Sequence, residues 1–351
     1  MTTVLLIIIA VLLFALIIFV HEFGHFITAK LCGIKVNEFA LGMGPKIFKK
    51  QGKETLYTLR LFPIGGFCAI EGEDGDSEDE RSFNKKPVWQ RMIVIIAGAV
   101  MNIILGLILM CIVLCSQDLL GIPCIANFTE NSKLEAAGAE VGDYFVSVNG
   151  YSIYTERDLS FALATANPDD VDIILKRGSE EVFLDSVKLD STEIMEGRRS
   201  VQLDFGIYGV EKTFGNVAKK TFLDTYSIAR SVYATLGGLF TGQFGFNDIS
   251  GPVGVAQVIT EAAGEGLKTG IMDAVNNIIT IMVLITVNLG IFNLIPFPAL
   301  DGGRFLFLLI EAITKKKIPE KVEGYINAVG FAILIIFMII VAFKDVFTII
   351  F

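Results

Sequence analysis

The chain has 351 residues, 53% of them hydrophobic, with a mean hydropathy of +0.61 and a formal net charge of -9. Apolarity of this degree excludes an ordinary soluble domain and puts the chain in the membrane class, where several spans are required. No block of Lys and Arg is interleaved with aromatic residues, which excludes nucleic acid as a partner, and five cysteines without a CxxC pair (Cys32, Cys68, Cys111, Cys115 and Cys124) imply no disulfide framework.

The first predicted element is an apolar helix from Val4 to Ile27, long enough to cross a bilayer at about 1.5 Å per residue. It lacks a basic start and a small-residue cleavage site, so it is read as a retained span and not as a signal peptide. Inside it stands His21-Glu22-Phe23-Gly24-His25. Ionisable groups cost roughly 2.5 to 3.5 kcal/mol each at the centre of a span on insertion scales, and the only two histidines of the chain both fall here. Four-residue spacing sets both imidazoles on one helix face. There they can hold a single ion while Glu22 reaches a water on it, which is the pattern of a zinc protease.

The next segment carries Lys30, Lys35, Lys46, Lys49, Lys50, Lys53, Arg60, Lys85, Lys86 and Arg91, and by the positive-inside rule it faces the cytoplasm. It holds a candidate β-hairpin, with Lys46 to Phe48 and Thr55 to Leu61 as strands and Gln51-Gly52 as the turn. The flanks ALGMGP and LFPIGGF are too apolar for a surface loop, so the hairpin is expected to dip toward the ion site, where protein or a water-filled cavity can satisfy its backbone. The alternative is a hairpin packed on the membrane surface. Residues 71 to 80, EGEDGDSEDE, read as a solvated acidic loop.

Met92 to Cys115 is the second predicted span, softened by Gly98, Ala99 and Gly106, with Asn102 as interhelical glue. Residues 117–190 alternate short strands with turn glycines and are expected to form a small domain outside the cytoplasm. Residues 191–270 contain no apolar run long enough to span and are expected to form an amphipathic interfacial segment. The third span, Ile278 to Leu300, ends in NLIPFPALDGGR; Phe305 to Ile310, the cluster Lys315-Lys316-Lys317 and a last span, Ile326 to Phe343, follow. The expectation is a polytopic α-helical membrane protein with four transmembrane helices, a membrane-associated β-hairpin in residues 1–116, an inserted α+β domain, and the last two spans in 271–351. Both termini would lie outside the cytoplasm of a bacterial cell membrane.

A catalytic zinc takes three protein ligands and leaves a position for water, so with no third histidine the remaining ligand is a carboxylate or a thiolate. Asp301 stands out, because Pro296 and Pro298 break its helix and Gly302 and Gly303 allow close backbone approach. Glu311 and Asp273 are the alternatives, both more easily read as membrane-interface residues. A purely structural reading of Asp301 is an ion pair with Arg304.

HEFGH in a first span and NLIPFPALDGGR in a later one resemble the two signature motifs of the site-2 protease family of intramembrane zinc metalloproteases, in its bacterial branch with a PDZ domain. EFALGMGPK, RLFPIGGF, FNKKPVWQRM, the stretch around GAEVGDYFVSVNG, and SGPVGV look like that branch in the same order. The resemblance implies His21, His25 and Asp301 as ligands of Zn2+, Glu22 as the catalytic glutamate, and Asn293 near the substrate. It also implies a single PDZ fold around residues 125–190 and a hairpin that presents an edge strand. The run containing Thr55, Tyr57 and Leu59 is the expected edge for an extended substrate, and Gly65 and Gly66 border the expected water route. One departure is Ala99, where the family commonly has proline.

The implied activity is endopeptidase cleavage within the transmembrane segments of single-span proteins in regulated intramembrane proteolysis, with anti-sigma factors or remnant signal peptides as substrates. The lipid bilayer and an upstream site-1 protease are the implied partners. Two other classes compete: a membrane transporter of metal or solute, which no internal repeat supports, and a catalytically silent PDZ scaffold, which has no need of Glu22.

Overall fold

A computed structural model describes residues 2–73, 75, 77–195, 198–246 and 249–350. Four helical stretches among them are long and apolar enough to cross a membrane: Val11–Leu31, Val88–Ser116, Ile271–Leu294 and Lys321–Thr348. The described chain divides into two compact units. One comprises the residues up to Leu109 together with those from Gly238 onward, and the other runs from Met110 to Gly237.

In the first unit, helix α1 (Thr2–Leu31) leads into β1 (Val36–Gln51) and β2 (Leu56–Ile70). The turn is where Gln51-Gly52 predicts it, with Gln51 opposite Leu56 and the Gly52 N–H donating to the Thr55 carbonyl at 2.9 Å. The strands are longer than predicted, and they curl. Residues 36–41 of β1 face 66–70 of β2 on one side and 56–59 on the other, while 46–51 pair with 56–60. The sheet therefore reads 66–70, 36–41, 56–60, 46–51 across its width. Gly42 makes the fold-back feasible. Its φ is +83°, and a Cβ there would sit 2.5 Å from the Phe62 carbonyl oxygen.

The run from Thr55 to Leu61 is thus an inner strand and not the expected edge. Backbone groups that face a partner on both sides are not free to pair with a substrate.

Helix α2 (Val88–Ser116) follows. In the second unit, β3 (Leu119–Phe128), β4 (Tyr144–Val148), β5 (Tyr151–Ser152), β6 (Val171–Arg177), β7 (Glu180–Val187) and β10 (Phe205–Glu211) form an antiparallel sheet in the order β10-β3-β4-β6-β7, with β5 on β4. Two short helices, α3 (Lys133–Ala136) and α4 (Glu156–Thr165), complete it, and β8 (Ser191–Met195) pairs with β9 (Arg198–Val201). Ile125, Leu134, Phe145, Leu163, Ile173 and Leu175 fill the core.

The expected boundary at residue 190 does not coincide with an edge of this domain. Leu189 and Val201 belong to the same core, β10 pairs with β3, and the Asp204 carboxylate accepts hydrogen bonds from the Lys133 and Leu134 amides that begin α3. A polar stretch after residue 187 and the glycines of β10 hide these strands from hydropathy patterning. Helix α5 (Phe214–Thr241) also departs from a simple interfacial helix. Its polar side chains turn toward α4, where Ser227 donates to Asp158 at 2.7 Å and Arg230 pairs with Asp158 at 3.1 Å.

Back in the first unit, α6 (Pro252–Thr269) packs along α7 (Ile271–Leu294). The Gly251 and Gly254 amides at the start of α6 donate to the Asp345 carboxylate of α9 (Glu320–Ile350) at 2.9 and 2.8 Å, so orphan helix N–H groups are satisfied from another element. The third apolar helix stops at Leu294, six residues short of the predicted Leu300. Pro296 and Pro298 follow it, and α8 (Asp301–Thr314) begins at the aspartate. A Cβ on Gly302 would lie 2.2 Å from the Ile295 carbonyl oxygen, so α8 can start this close to the end of α7 only with glycine there.

Candidate metal centre

On α1 the four-residue spacing brings the His21 and His25 Nε2 atoms to 3.3 Å from one another. Asp301, the first residue of α8, sets its Oδ2 atom 3.3 Å from His21 Nε2 and 3.4 Å from His25 Nε2. Among the described residues this is the one group of three His, Cys, Asp or Glu side chains close enough to share an ion. Zinc bonds of about 2.0–2.1 Å in tetrahedral geometry separate the ligand atoms by about 3.3–3.4 Å. The triangle fits one face of that tetrahedron. Asp301 Oδ2 is also buried with no hydrogen-bond partner, the condition of an anionic oxygen that a cation completes.

A stripe of α2 supports the two rings. The Val94 carbonyl lies 2.8 Å from His25 Nδ1, and the Asn102 side-chain amide lies 3.3 Å from His21 Nδ1. Gly98, between them, provides the space: a Cβ there would meet His25 Nε2 at 2.3 Å and His21 Cε1 at 2.7 Å. Asn102 was legible as a polar residue inside a span, but its contact with a histidine was not. The Val94 carbonyl, a backbone atom, leaves no mark in a side-chain pattern.

Glu22 points into a cavity of about 620 Å³ whose wall includes His21, His25, Asp301 and Arg304 together with residues 67–73. The Cys68 backbone N–H donates to the Glu22 carboxylate, and Gly66 packs on it so closely that a Cβ would stand 3.2 Å from Glu22 Cγ. The outer segment of the curled sheet is therefore the one beside the glutamate. The acidic loop, expected to be solvated, contributes Glu71, Gly72, Glu73, Gly75 and Ser77 to the same wall.

Arg304 apart, the remaining predicted residues lie off this wall. Arg304 pairs with Glu73, while Asp301 faces the two histidines, so the alternative reading of Asp301 as the ion-pair partner of Arg304 is not the arrangement found. Glu311 is held by Arg91 at 2.7 and 3.0 Å, and Asp273 lies in the first turn of α7. Thr55 is buried with its hydroxyl on the Val36 carbonyl at 2.8 Å, Tyr57 packs edge-on against Phe26, and Leu59 is exposed. None of these three lines the cavity, nor do Gly65 and Asn293, the latter being the penultimate residue of α7.

Two histidines and an aspartate around one point, with a glutamate beside them, on a chain of four membrane-length apolar helices, define a membrane-embedded metal enzyme. Comparison with known proteins identifies the class more closely. The profile of peptidase family M50 matches residues 9–337. A Clostridium acetobutylicum protein with the provisional name of zinc metalloprotease is 35% identical over 97% of each chain. The zinc metalloprotease RasP of Shouchella clausii is 30% identical over 95% of this chain and 97% of its own. The regulator of sigma-W protease RasP of Bacillus subtilis is 29% identical over 96% of this chain and 97% of its own. The chain belongs to peptidase family M50, the site-2 proteases, and is a multi-pass membrane zinc metalloprotease.

Proposed function

We propose that the protein is an intramembrane endopeptidase that cuts the transmembrane segments of single-span substrates near the cytoplasmic face, with both of its own termini outside. The observation that carries this reading is the triangle of His21, His25 and Asp301, with Glu22 on the wall of the same cavity. His21, His25 and Asp301 hold zinc, which supplies a Lewis acid that polarises the scissile carbonyl and acidifies water. Glu22 takes the proton from the attacking water and returns it to the leaving amine. A substrate helix has to open before its carbonyl can be attacked. In the bilayer each freed backbone group costs several kcal/mol, so replacement hydrogen bonds are required. The outer segment 66–70, next to Glu22, is the candidate strand for supplying them.

The sheet of the second unit is read as a PDZ-like domain that filters substrates by the size of their outer portion, so that an upstream site-1 protease would trim them first. The name of the Bacillus subtilis relative supports a regulatory substrate such as an anti-sigma factor. A transporter or a silent scaffold would have no use for a glutamate beside the triad.

The metal content of four variants tests the assignment. His21→Ala, His25→Ala and Asp301→Ala should each lose zinc and cleavage, whereas Glu22→Gln should hold a full equivalent of zinc and lose activity by about 10²- to 10⁴-fold. An Asp301→Ala protein that keeps both zinc and activity would show the third ligand to be misassigned.

A further inference from the structure

His25 has no choice of tautomer. Its Nδ1 is 2.8 Å from the Val94 carbonyl, which can only accept, so Nδ1 carries the proton and Nε2 keeps the lone pair. His21 is different, because its Nδ1 meets a side-chain amide that offers a donor or an acceptor according to which way it is turned. With Nδ2 toward the ring, the amide would donate and the neutral ring would carry its proton on Nε2, the atom 3.3 Å from Asp301 Oδ2. Such a ring has no lone pair for a metal at that atom. In the same orientation Asn102 Oδ1 is left buried without a partner, on a residue that is 0% exposed. Turning the amide over removes both conflicts: Oδ1 accepts from Nδ1–H, and His21 Nε2 presents a lone pair alongside that of His25.

We propose that Asn102 is a positioning residue for the metal, with its Oδ1 accepting the Nδ1 proton of His21 and so fixing the tautomer that can bind zinc. The inference rests on the reading of His21, His25 and Asp301 as the zinc ligands. Placement on α2 agrees with it. Val94, Gly98 and Asn102 recur every four residues and lie on one stripe, which supplies a backbone acceptor for one ring, room for both, and a side-chain acceptor for the other. Partners of this kind on ligating histidines hold the ring and raise its basicity, and their loss costs about 10- to 100-fold in metal affinity.

The test uses the full chain in detergent and measures the zinc dissociation constant by chelator competition, beside the melting temperature of the zinc-free protein. Asn102→Leu, close in volume but without an acceptor, should weaken zinc binding by about 10- to 100-fold. Asn102→Asp, an acceptor only, should keep wild-type affinity or exceed it. Asn102→Ser, whose smaller hydroxyl can also accept, replaces the aspartate variant in the comparison if that variant does not fold. A leucine variant that binds zinc like wild type, or an acceptor variant as weak as leucine, overturns the proposal. Simple glue between helices would instead lower the melting temperature of every variant and leave zinc affinity unmoved. His21→Ala is the control for the underlying reading: wild-type zinc affinity in that variant would refute the metal site itself, whereas its loss together with an unaffected leucine variant would refute only the role of Asn102.

Discussion

Glu38 on β1 keeps its charge under several donors. Burial alone would raise its pKa, but hydrogen bonds from Arg60, Thr58 and Lys46 outweigh that and hold it at about 2. Because the folded value lies below the unfolded one of about 4.3, its contribution to the hairpin is complete above pH 4.3 and is lost as the pH falls toward 2. Hydrogen exchange of residues 36–60, corrected for intrinsic rates, should therefore accelerate across that window. In Glu38→Gln, exchange should be faster at neutral pH and change little with acid; an acid response equal to that of wild type would contradict the assignment. At this scale the sequence speaks through side chains placed where they are costly. His21, Glu22 and His25 stood out because ionisable groups are rare in apolar helices, and Asp301 because prolines and glycines flank it where an apolar helix is broken. Val94 and Cys68 act through backbone atoms, which any residue other than proline would provide, so nothing in the sequence marks them.

The curled sheet shows what pattern reading catches at the level of elements and what it misses. Gln51-Gly52 was legible as a turn because its chemistry is local. The fold-back at Gly42 was not, since a positive φ inside an apolar run looks like a loop, and the position of 55–61 between two neighbours depends on pairings with 36–41 that are 18 residues apart. The consequence is a different target for mutation. The Cys68 N–H reaches Glu22, so Cys68→Pro deletes one hydrogen bond to a charged group, worth about 1.5–3 kcal/mol, or roughly 10- to 160-fold in rate. Cleavage should slow by that amount with zinc content unchanged, and an unaltered rate would remove this segment from the mechanism. Proline at Tyr57 or Leu59, in an inner strand, should disrupt the hairpin as a whole, without the alternation expected of an edge.

Four spans and a separate domain were legible from hydropathy alone, because bilayer thickness imposes a length that apolar runs reveal directly. The extent of the domain was not. A cut at residues 125–190 would divide β3 and deprive β10 of its partner, so an informative excision replaces 119–237 with a flexible linker, which also removes the polar face of α5. That variant should retain zinc and accept substrates with bulky outer portions that the intact protein refuses; unchanged selectivity in a stably expressed variant would count against the filter. The central claim is hydrolysis inside a membrane segment by Glu22 and the zinc triad, and mass spectrometry of products from purified protein and a single-span substrate tests it most directly. A cut within the span, absent when Glu22→Gln protein with its full equivalent of zinc is used instead, is the predicted result; a cut outside the span, or the same cut by the glutamine variant, would contradict it.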